Sequence, residues 1–343
     1  MLRERAPRLP PGPGGDRTVS GGGTSGGSGV IRIGTRGSAL AMAQTRQIAE
    51  RIAKAADAEI ELVPVTTQGD TSRASLASLG GTGVFAAALR EALLAGECDL
   101  VVHSLKDLPT AEHEGLRLGA VPKRADARDA LCARDGLTLA ELSAGARIGT
   151  GSPRRIAQLR AARPDIEAVD IRGNIDTRLG LVESGQLDAV LLAAAGLGRL
   201  GRADAATELF ELAEWPTAPG QGALAIEVRR ERGTRPLERA LEAVDHRTTR
   251  ATVLAERLVL AELEAGCSAP VGATAFIEDE LLFLTATVYS ADGTRRLTSS
   301  HATTPDSRSA ADLADAASDV AQRVVAELLG NGAADLTPSE EST

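Results

Sequence analysis

The residues best suited to chemistry lie in four short segments, each at a point where an apolar run gives way to a loop or a helix. In the most informative one, residues 102–109 read VHSLKDLP and place Lys106 beside Asp107 directly after an apolar run. The others are residues 35–38 (TRGS), 151–155 (GSPRR) and 172–178 (RGNIDTR). Arginine suits carboxylates because its planar fork donates two parallel hydrogen bonds. Together the segments predict a pocket for a substrate with several negative charges.

Among the charged residues of these segments that we select as candidates, one is an acid and the others are cations. The candidate cations are Arg36, Lys106, Arg154, Arg155, Arg172 and Arg178. An acid such as Asp107 that is held among cations stays ionised. It can therefore stabilise a cationic intermediate or accept a proton from one.

Length and composition favour several domains built from helices packed on strands. The 343 residues suffice for two or three domains of roughly 100 to 200 residues each. Aromatic residues make up only 2% of the chain, so the core must consist of Ala, Val, Leu and Ile, and Ala-rich stretches favour helices.

The charge distribution argues against a polyanionic partner. The chain carries a net charge of −9, of which the first 29 residues contribute +2, which leaves −11 on the remainder. An acidic body repels nucleic acid and anionic membranes, so arginines concentrated in a few loops indicate a small anionic ligand. No run approaches a membrane span and no secretory signal is recognisable, so we expect a cytoplasmic protein.

Three widely spaced cysteines, Cys98, Cys132 and Cys267, form no Cys-x-x-Cys pair. This spacing predicts neither a disulfide framework nor a metal site. We interpret Cys98 and Cys132 as small buried apolar residues. The Gly-, Pro- and Arg-rich residues 1–29 are expected to be a disordered extension, because such a segment forms helices poorly.

The remaining pattern predicts two α/β units followed by a different third unit. Predicted strands are 30–34, 59–66, 99–103, 146–150, 166–171 and 189–193, with helices at 39–55, 83–95, 156–162 and 177–183. Ser38 and Ser152 are expected N-caps, which places Arg154 and Arg155 in a first helical turn. Cations there oppose the helix dipole, which suggests that an external anion offsets the repulsion.

The third unit has the order α-β-β-β-α. A helix over 249–264 is expected to end at Gly266, just before Cys267, and strands at 272–277, 281–289 and 295–301 to form an antiparallel sheet. Asp292-Gly293 is a hairpin signal between the last two strands. A final helix is predicted over 310–329.

In this order the motifs resemble the hydroxymethylbilane synthase family, also called porphobilinogen deaminases, over residues 31 to about 332. The motifs that carry the resemblance are residues 35–41, 67–70, 103–109, 149–155, 172–174 with 177–178, 194–197, 219–223 and 266–267. Each motif is weak by itself, and their order along one chain is highly specific.

The resemblance implies two α/β domains like the halves of periplasmic binding proteins and a smaller α+β domain with a three-stranded antiparallel sheet. The implied boundaries are 30–122 plus 218–239 for domain 1, 123–217 for domain 2, 240–333 for domain 3, and a tail over 334–343. It also implies a monomer with no nucleic-acid or membrane partner.

The activity implied by the resemblance is a transferase reaction of tetrapyrrole (haem and porphyrin) biosynthesis. Four porphobilinogen molecules would be deaminated and joined in turn to a dipyrromethane cofactor, which a thioether attaches to Cys267. Linear hydroxymethylbilane and ammonia would be released. Each pyrrole carries an acetate and a propionate, which accounts for the arginines.

The resemblance also assigns roles. Asp107 would be catalytic, stabilising the azafulvene-type electrophile left when ammonia departs and guiding proton transfers. Residues expected to bind the cofactor are Cys267, Lys106, Asp107, Ser152, Arg154, Arg155 and Arg178. Residues expected to bind substrate are Arg36, Ser38, Arg172 and Arg178. No metal is implied.

Three positions depart from the family pattern. Ser78 and Thr82 lie in a glycine-rich segment where many members have lysines, and Gln68 replaces a residue that is often basic. Any role that those lysines have in substrate binding or loop closure in other members of the family is therefore not assigned to Ser78 and Thr82. The glycine-rich segment is either a mobile lid or a plain turn.

Two alternatives remain open at this point. A non-catalytic anion receptor would explain the arginines and the α/β units, but not the pairing of Lys106 with Asp107 or the third unit. A thiol enzyme using Cys267 would need a histidine partner, and His103 and His246 are expected to be structural.

Overall fold

The computed structural model describes residues 2–4, 29–66, 83–263 and 269–336. Its strands are β1 Leu2–Glu4, β2 Ile31–Arg36, β3 Ile60–Val65, β4 Leu100–Ser104, β5 Leu116–Ala120, β6 Asp129–Ala133, β7 Arg147–Gly149, β8 Glu167–Val169, β9 Ala189–Ala193, β10 Glu208–Leu209, β11 Leu224–Arg229, β12 Val271–Glu278, β13 Leu281–Tyr289 and β14 Arg296–Thr303. Its helices are α1 Ala39–Ala56, α2 Gly83–Leu94, α3 Pro153–Ala162, α4 Ile175–Glu183, α5 Ala194–Arg199, α6 Arg235–Val244, α7 Arg247–Glu262 and α8 Ala310–Gly330. Short 3-10 turns occur at Leu105–Asp107, Arg134–Gly136, Ala203–Ala205 and Ala333–Asp335.

The first sheet has the order β1-β3-β2-β4-β11-β5 and is buried on both faces. Alternate residues of β4 point to opposite sides: Leu100 and Val102 pack with α1 and α6, whereas Val101 packs with α2. Strands β3, β2 and β4 are parallel, as expected for a helix-covered sheet, but β11 pairs antiparallel with β4 and β5. The chain therefore returns to the first sheet after building the second.

The second sheet, β10-β6-β9-β7-β8, repeats this layered arrangement. Leu159 of α3 packs on one face and Leu179 and Val182 of α4 on the other. Strands β7, β8 and β9 are parallel, so β7 and β8 end at the same edge.

In the third unit, α7 and α8 cover one face of the antiparallel sheet β12-β13-β14. Apolar residues of β13 alternate toward this face, as Leu282, Leu284, Ala286 and Val288 show. The predicted α+β unit and its three-stranded sheet are confirmed. Gly293 follows Asp292 in the hairpin turn with a φ of +76°, a conformation for which glycine is suited.

Three details differ from expectation. Residues 2–4, expected to be disordered, form β1, which pairs in parallel with β3, because backbone hydrogen bonds to an open sheet edge need no side-chain pattern. Helix α7 ends at Glu262, before the predicted 264. The expected boundary at 239/240 falls inside α6, whose Leu237, Leu241 and Val244 all pack in the first core.

None of the helices among the described residues is long and apolar enough to span a membrane.

Candidate functional site

The predicted site residues follow strands that end at corresponding sheet edges. Arg36 ends β2, and Ser104 ends β4 and precedes the 3-10 turn that carries Lys106 and Asp107. In the second sheet, the remaining arginines lie in the loop after β8 and on the helices α3 and α4, which follow β7 and β8. Because β2 is parallel to β4 and β7 to β8, each pair of loops leaves its sheet on one side.

Lys106 connects the two groups of loops. Its Nζ donates to Gln221 Oε1 at 3.2 Å, and Gln221 in turn donates through Nε2 to Asp129 Oδ1 at 2.8 Å. Burial, together with the nearby charge of Arg155, lowers the pKa of Lys106 to about 8. Lys106 is thus a cation whose surroundings disfavour its charge and which an anion would stabilise.

Asp129, at the start of β6, holds the two arginines of α3. It is fully buried, and its two carboxylate oxygens lie 2.9 Å from Arg154 Nη2 and 2.6 Å from Arg155 Nη2. Trp215 Nε1 also donates to it at 3.0 Å. Burial alone would raise the pKa of Asp129, but the two arginines hold it well below its usual range.

This arrangement bears on the expectation of an external anion at α3. Ser152 is the N-cap and Pro153 the first helical residue, as predicted. The carboxylate of Asp129, however, supplies within the protein part of the negative charge that we expected a ligand to bring to Arg154 and Arg155. The compensation is incomplete, because the buried Nε atoms of Arg154 and Arg155 have no hydrogen-bond partner among the described residues.

Arg178 and Arg172 extend the positive region along the edge of the second sheet. Asn174 caps α4, and Arg178 on that helix donates through Nε to Gly173 O at 2.9 Å. Burial, then the charges of Arg155 and Arg172, lower the pKa of Arg178 to about 10. Like charges gathered in this way are costly unless an anion joins them.

The first sheet contributes Arg36 and Ser38. Ser38 caps α1, where its Oγ accepts from the backbone N–H of Ala41 at 3.3 Å. On the same helix, Gln44 Nε2 donates to Ser104 Oγ at 3.0 Å. This hydrogen bond ties the start of α1 to the end of β4, beside the turn that bears Lys106.

Three residues of this region were given no role from the sequence. Arg199 ends α5, donates to Gly222 O at 2.7 Å and leaves its buried Nε without a partner among the described residues. Burial lowers the pKa of Arg199 to about 10. The hydrogen bond from Gln221 to Asp129 joins the segment before β11 of the first sheet to the start of β6 of the second. The position of Asp129, an acid directly before the apolar run 130–133, is a feature of the sequence from which its role could have been predicted. Arg199 lies two residues beyond the family motif 194–197.

Several predicted positions lie outside the described residues, namely Cys267, Gln68, Ser78 and Thr82. Described residues end at Leu263 after α7 and resume at Ala269 before β12.

The environments of the other two cysteines and of the two histidines are those of residues with a structural role. Burial raises the pKa of the Cys98 thiol to about 12 and that of Cys132 to about 11. His103 Nε2 lies 3.0 Å from the buried carboxylate of Glu227, and His246 caps α7.

Comparison with solved structures finds matches at low identity. The methionine-binding protein MetQ has a TM-score of 0.42 and 12% identity, over 69% of this chain and 95% of that one. An arginine-specific periplasmic binding protein of Salmonella typhimurium has a TM-score of 0.38 and 16% identity, over 63% and 92%.

Comparison with families and curated relatives is more specific. The family model "Porphobilinogen deaminase, dipyromethane cofactor binding domain" matches residues 31–235, and "Porphobilinogen deaminase, C-terminal domain" matches residues 250–330. The porphobilinogen deaminase of Leifsonia xyli is 69% identical over 90% of this chain and 95% of its own length. That of Thermobifida fusca is 58% identical over 77% and 82%. The chain therefore belongs to the porphobilinogen deaminase family.

Proposed function

We propose that this chain is a hydroxymethylbilane synthase, which deaminates four porphobilinogen molecules, condenses them head to tail and releases linear hydroxymethylbilane and ammonia. The observation that carries the proposal is the cluster of Lys106, Arg155 and Arg178, within a chain of this family. Each of these cations lies near at least one of the others, and the pKa of both Lys106 and Arg178 is lowered. A substrate with two carboxylates per ring would relieve that repulsion.

The residues present also suit the dipyrromethane cofactor of the family, since the Nε–H groups of Arg154 and Arg155, which have no hydrogen-bond partner among the described residues, can donate to carboxylate oxygens. When bound, the cofactor supplies the pyrrole ring to which the first substrate ring is joined. Cys267 would hold it covalently, and the residues that would hold its carboxylates are Lys106, Ser152, Arg154, Arg155 and Arg178.

Asp107 is the proposed catalytic residue. It lies at the end of the 3-10 turn Leu105–Asp107, one residue from Lys106 and half-buried. A carboxylate placed there stabilises positive charge that develops on a pyrrole as ammonia leaves. It can also accept and return the proton of a pyrrole nitrogen.

The remaining candidates bind and orient. Arg36, Ser38, Arg172 and Arg178 would bind the acetate and propionate groups of incoming porphobilinogen. Arginine's fork fixes the direction of each carboxylate as well as its position, and correct orientation of two reacting rings lowers the barrier to joining them.

We further propose that the enzyme acts as a cytoplasmic monomer whose site lies between domains 1 and 2. In support of a monomer, Lys106 of the first α/β unit donates to Gln221, and Gln221 donates to Asp129 of the second, all within one chain. Light scattering on the purified holoenzyme tests the monomeric state, and a stable dimer would contradict it.

The experiment that tests the function is an intact mass of freshly purified protein, with peptide mapping around Cys267, followed by incubation with porphobilinogen. A covalent dipyrromethane on Cys267 and consumption of porphobilinogen would support the proposal. An unmodified Cys267 that stays unmodified after incubation, with no consumption, would overturn it and leave a non-catalytic anion receptor.

A further inference from the structure

Arg257 of α7 reaches from the third unit into the turn that carries Lys106 and Asp107. Its Nη1 donates to Leu105 O at 3.1 Å and to Leu108 O at 2.7 Å, and its Nη2 donates to Pro109 O at 2.6 Å. The three carbonyls lie immediately before and after the Lys106-Asp107 pair. One guanidinium therefore spans both ends of the turn.

Besides the hydrogen bond of Lys106 to Gln221 and the burial of the Leu105 and Leu108 side chains, the turn is held by two backbone hydrogen bonds. Leu105 N–H donates to Ala223 O at 3.0 Å, and Leu108 N–H donates back to Leu105 O at 3.2 Å. A 3-10 turn of three residues leaves carbonyls that its own backbone does not satisfy. Arg257 donates to the carbonyls of Leu108 and Pro109 and adds a second donor at Leu105 O. It does so with a rigid planar donor group, which a lysine with its flexible stem does not reproduce.

Glu256, the neighbour of Arg257, attaches the same part of α7 to Arg124 and Gly220, which lie where the chain passes between the two α/β units. Glu256 is fully buried and accepts from Arg124 Nη1 and Nη2 at 2.6 and 2.9 Å. It also accepts from the backbone N–H of Gly220 at 2.8 Å and of Ala275 at 2.9 Å. Arg257 thus projects from a helix position that is itself held firmly.

We propose that Arg257 is a positioning residue, which orients Asp107 by holding the backbone on both sides of it. This inference rests on the function proposed above. Helix α7 ends five residues before Cys267 in the chain, so Arg257 also links the turn to the segment expected to bear the cofactor.

The test compares Arg257→Ala and Arg257→Lys with Arg250→Ala as a matched control. Arg250 lies two turns earlier on α7 and binds Asp245 and Gly119 O, away from the turn. For Arg257→Ala holoenzyme we expect kcat to fall by at least about tenfold, as misplacement of a catalytic group does. The KM for porphobilinogen should change by less than about threefold, because substrate binding is not removed.

Two further measurements separate positioning from a general loss of structure. Hydrogen exchange of the peptide covering residues 104–110 should accelerate in Arg257→Ala and not in Arg250→Ala. Millimolar guanidinium, too dilute to unfold the protein, should restore part of the turnover of Arg257→Ala, whereas Arg257→Lys should stay impaired.

Normal turnover in Arg257→Ala would overturn the proposal. Equal losses of turnover in Arg257→Ala and Arg250→Ala, with unchanged exchange in 104–110, would also overturn it. If the wild-type chain itself consumed no porphobilinogen, the proposed function would fail instead, and the exchange comparison would still decide whether Arg257 holds the turn.

Discussion

At the scale of single residues, the site is a balance between one buried acid and many cations. Asp129 neutralises part of the charge of Arg154 and Arg155, while Lys106 and Arg178 keep pKa values lowered by burial and by neighbouring positive charge. Asp107 lies beside this cluster. The consequence is a region that favours the binding of carboxylates. Its own carboxylate, Asp107, is available to accept a proton or to stabilise a positive charge.

Replacing Asp107 with Asn should separate binding from catalysis. The amide keeps the shape of the side chain and removes its charge, so we expect cofactor attachment to persist while kcat falls by about 10²-fold or more. Intact mass and single-turnover kinetics would measure the two effects. Near-normal product formation would contradict the catalytic role.

The lowered pKa of Lys106 predicts a specific pH dependence. As the pH rises through about 8, folded Lys106 loses its proton, whereas lysine in an unfolded chain keeps its proton to about 10.4. The unfavourable charge of Lys106 therefore lowers the stability of the folded protein below pH 8. This destabilisation is relieved progressively as the pH rises from about 8 towards the pKa of lysine in the unfolded chain. Binding of carboxylates by Lys106 weakens as the residue loses its proton.

The measurement is the rate at which apoprotein incubated with porphobilinogen gains the mass of the dipyrromethane cofactor between pH 7 and pH 9, in the wild type and in Lys106→Arg. We expect the wild-type rate to fall across that interval and the fall to disappear in Lys106→Arg, because arginine stays protonated. An identical pH profile in both proteins would show that another group is responsible.

At the scale of elements, α3 carries its arginines in a first turn where the helix dipole opposes them. Ser152 caps the helix as the sequence predicts, and Gln158 one turn later accepts from Arg154 Nη1 at 2.6 Å. Because Asp129 of β6 also neutralises part of this charge, the helix begins stably. The Nε atoms of Arg154 and Arg155, which have no hydrogen-bond partner within the described part of the chain, remain available.

Arg154→Leu should therefore impair both cofactor assembly and stability. We expect a low yield of mature holoenzyme and a loss of about 1–3 kcal/mol in unfolding free energy, since buried Asp129 loses one of its partners. Intact mass and urea unfolding measure these. The control is Arg160→Leu on the same helix, which loses an exposed contact to Ala291 O; holoenzyme in normal yield from Arg154→Leu would contradict the assignment.

At the scale of the whole molecule, the chain passes twice between the α/β units, and the two passages bind each other. Arg124 donates through Nε to Gln221 O at 2.7 Å, and Ala125 N–H donates to Gly222 O at 3.2 Å. Gly222 has a φ of +85°, and a Cβ there would lie 2.8 Å from Ala125 O, so only glycine allows this close crossing. The third unit joins the crossing through Glu256.

Removal of residues 1–29 should leave turnover intact. It removes β1 and the exposed Arg46–Glu4 ion pair, and such surface pairs contribute about 0–1 kcal/mol. Turnover and thermal unfolding of the truncated and full-length chains would test this. A marked loss of turnover would assign the extension a function.

The sequence by itself determined the features that depend on neighbouring residues. Ser38 and Ser152 cap their helices because a hydroxyl reaches a backbone N–H three residues on, and the alternation over 281–289 already defines β13 and its buried face. The order of the charged motifs identified the family. Strands β5, β6 and β11 and helix α6 were not predicted, because their short apolar runs carry no strong local signal.

Only the tertiary structure decided which distant groups meet. Asp129 lies 26 residues from Arg155 and 92 from Gln221, and Arg257 lies 152 residues from Leu105. Such contacts follow from how the chain crosses between the units and returns to its first sheet. No spacing in the sequence specifies them, because their partners are chosen by the packing of whole elements and by the need to pair every buried charge.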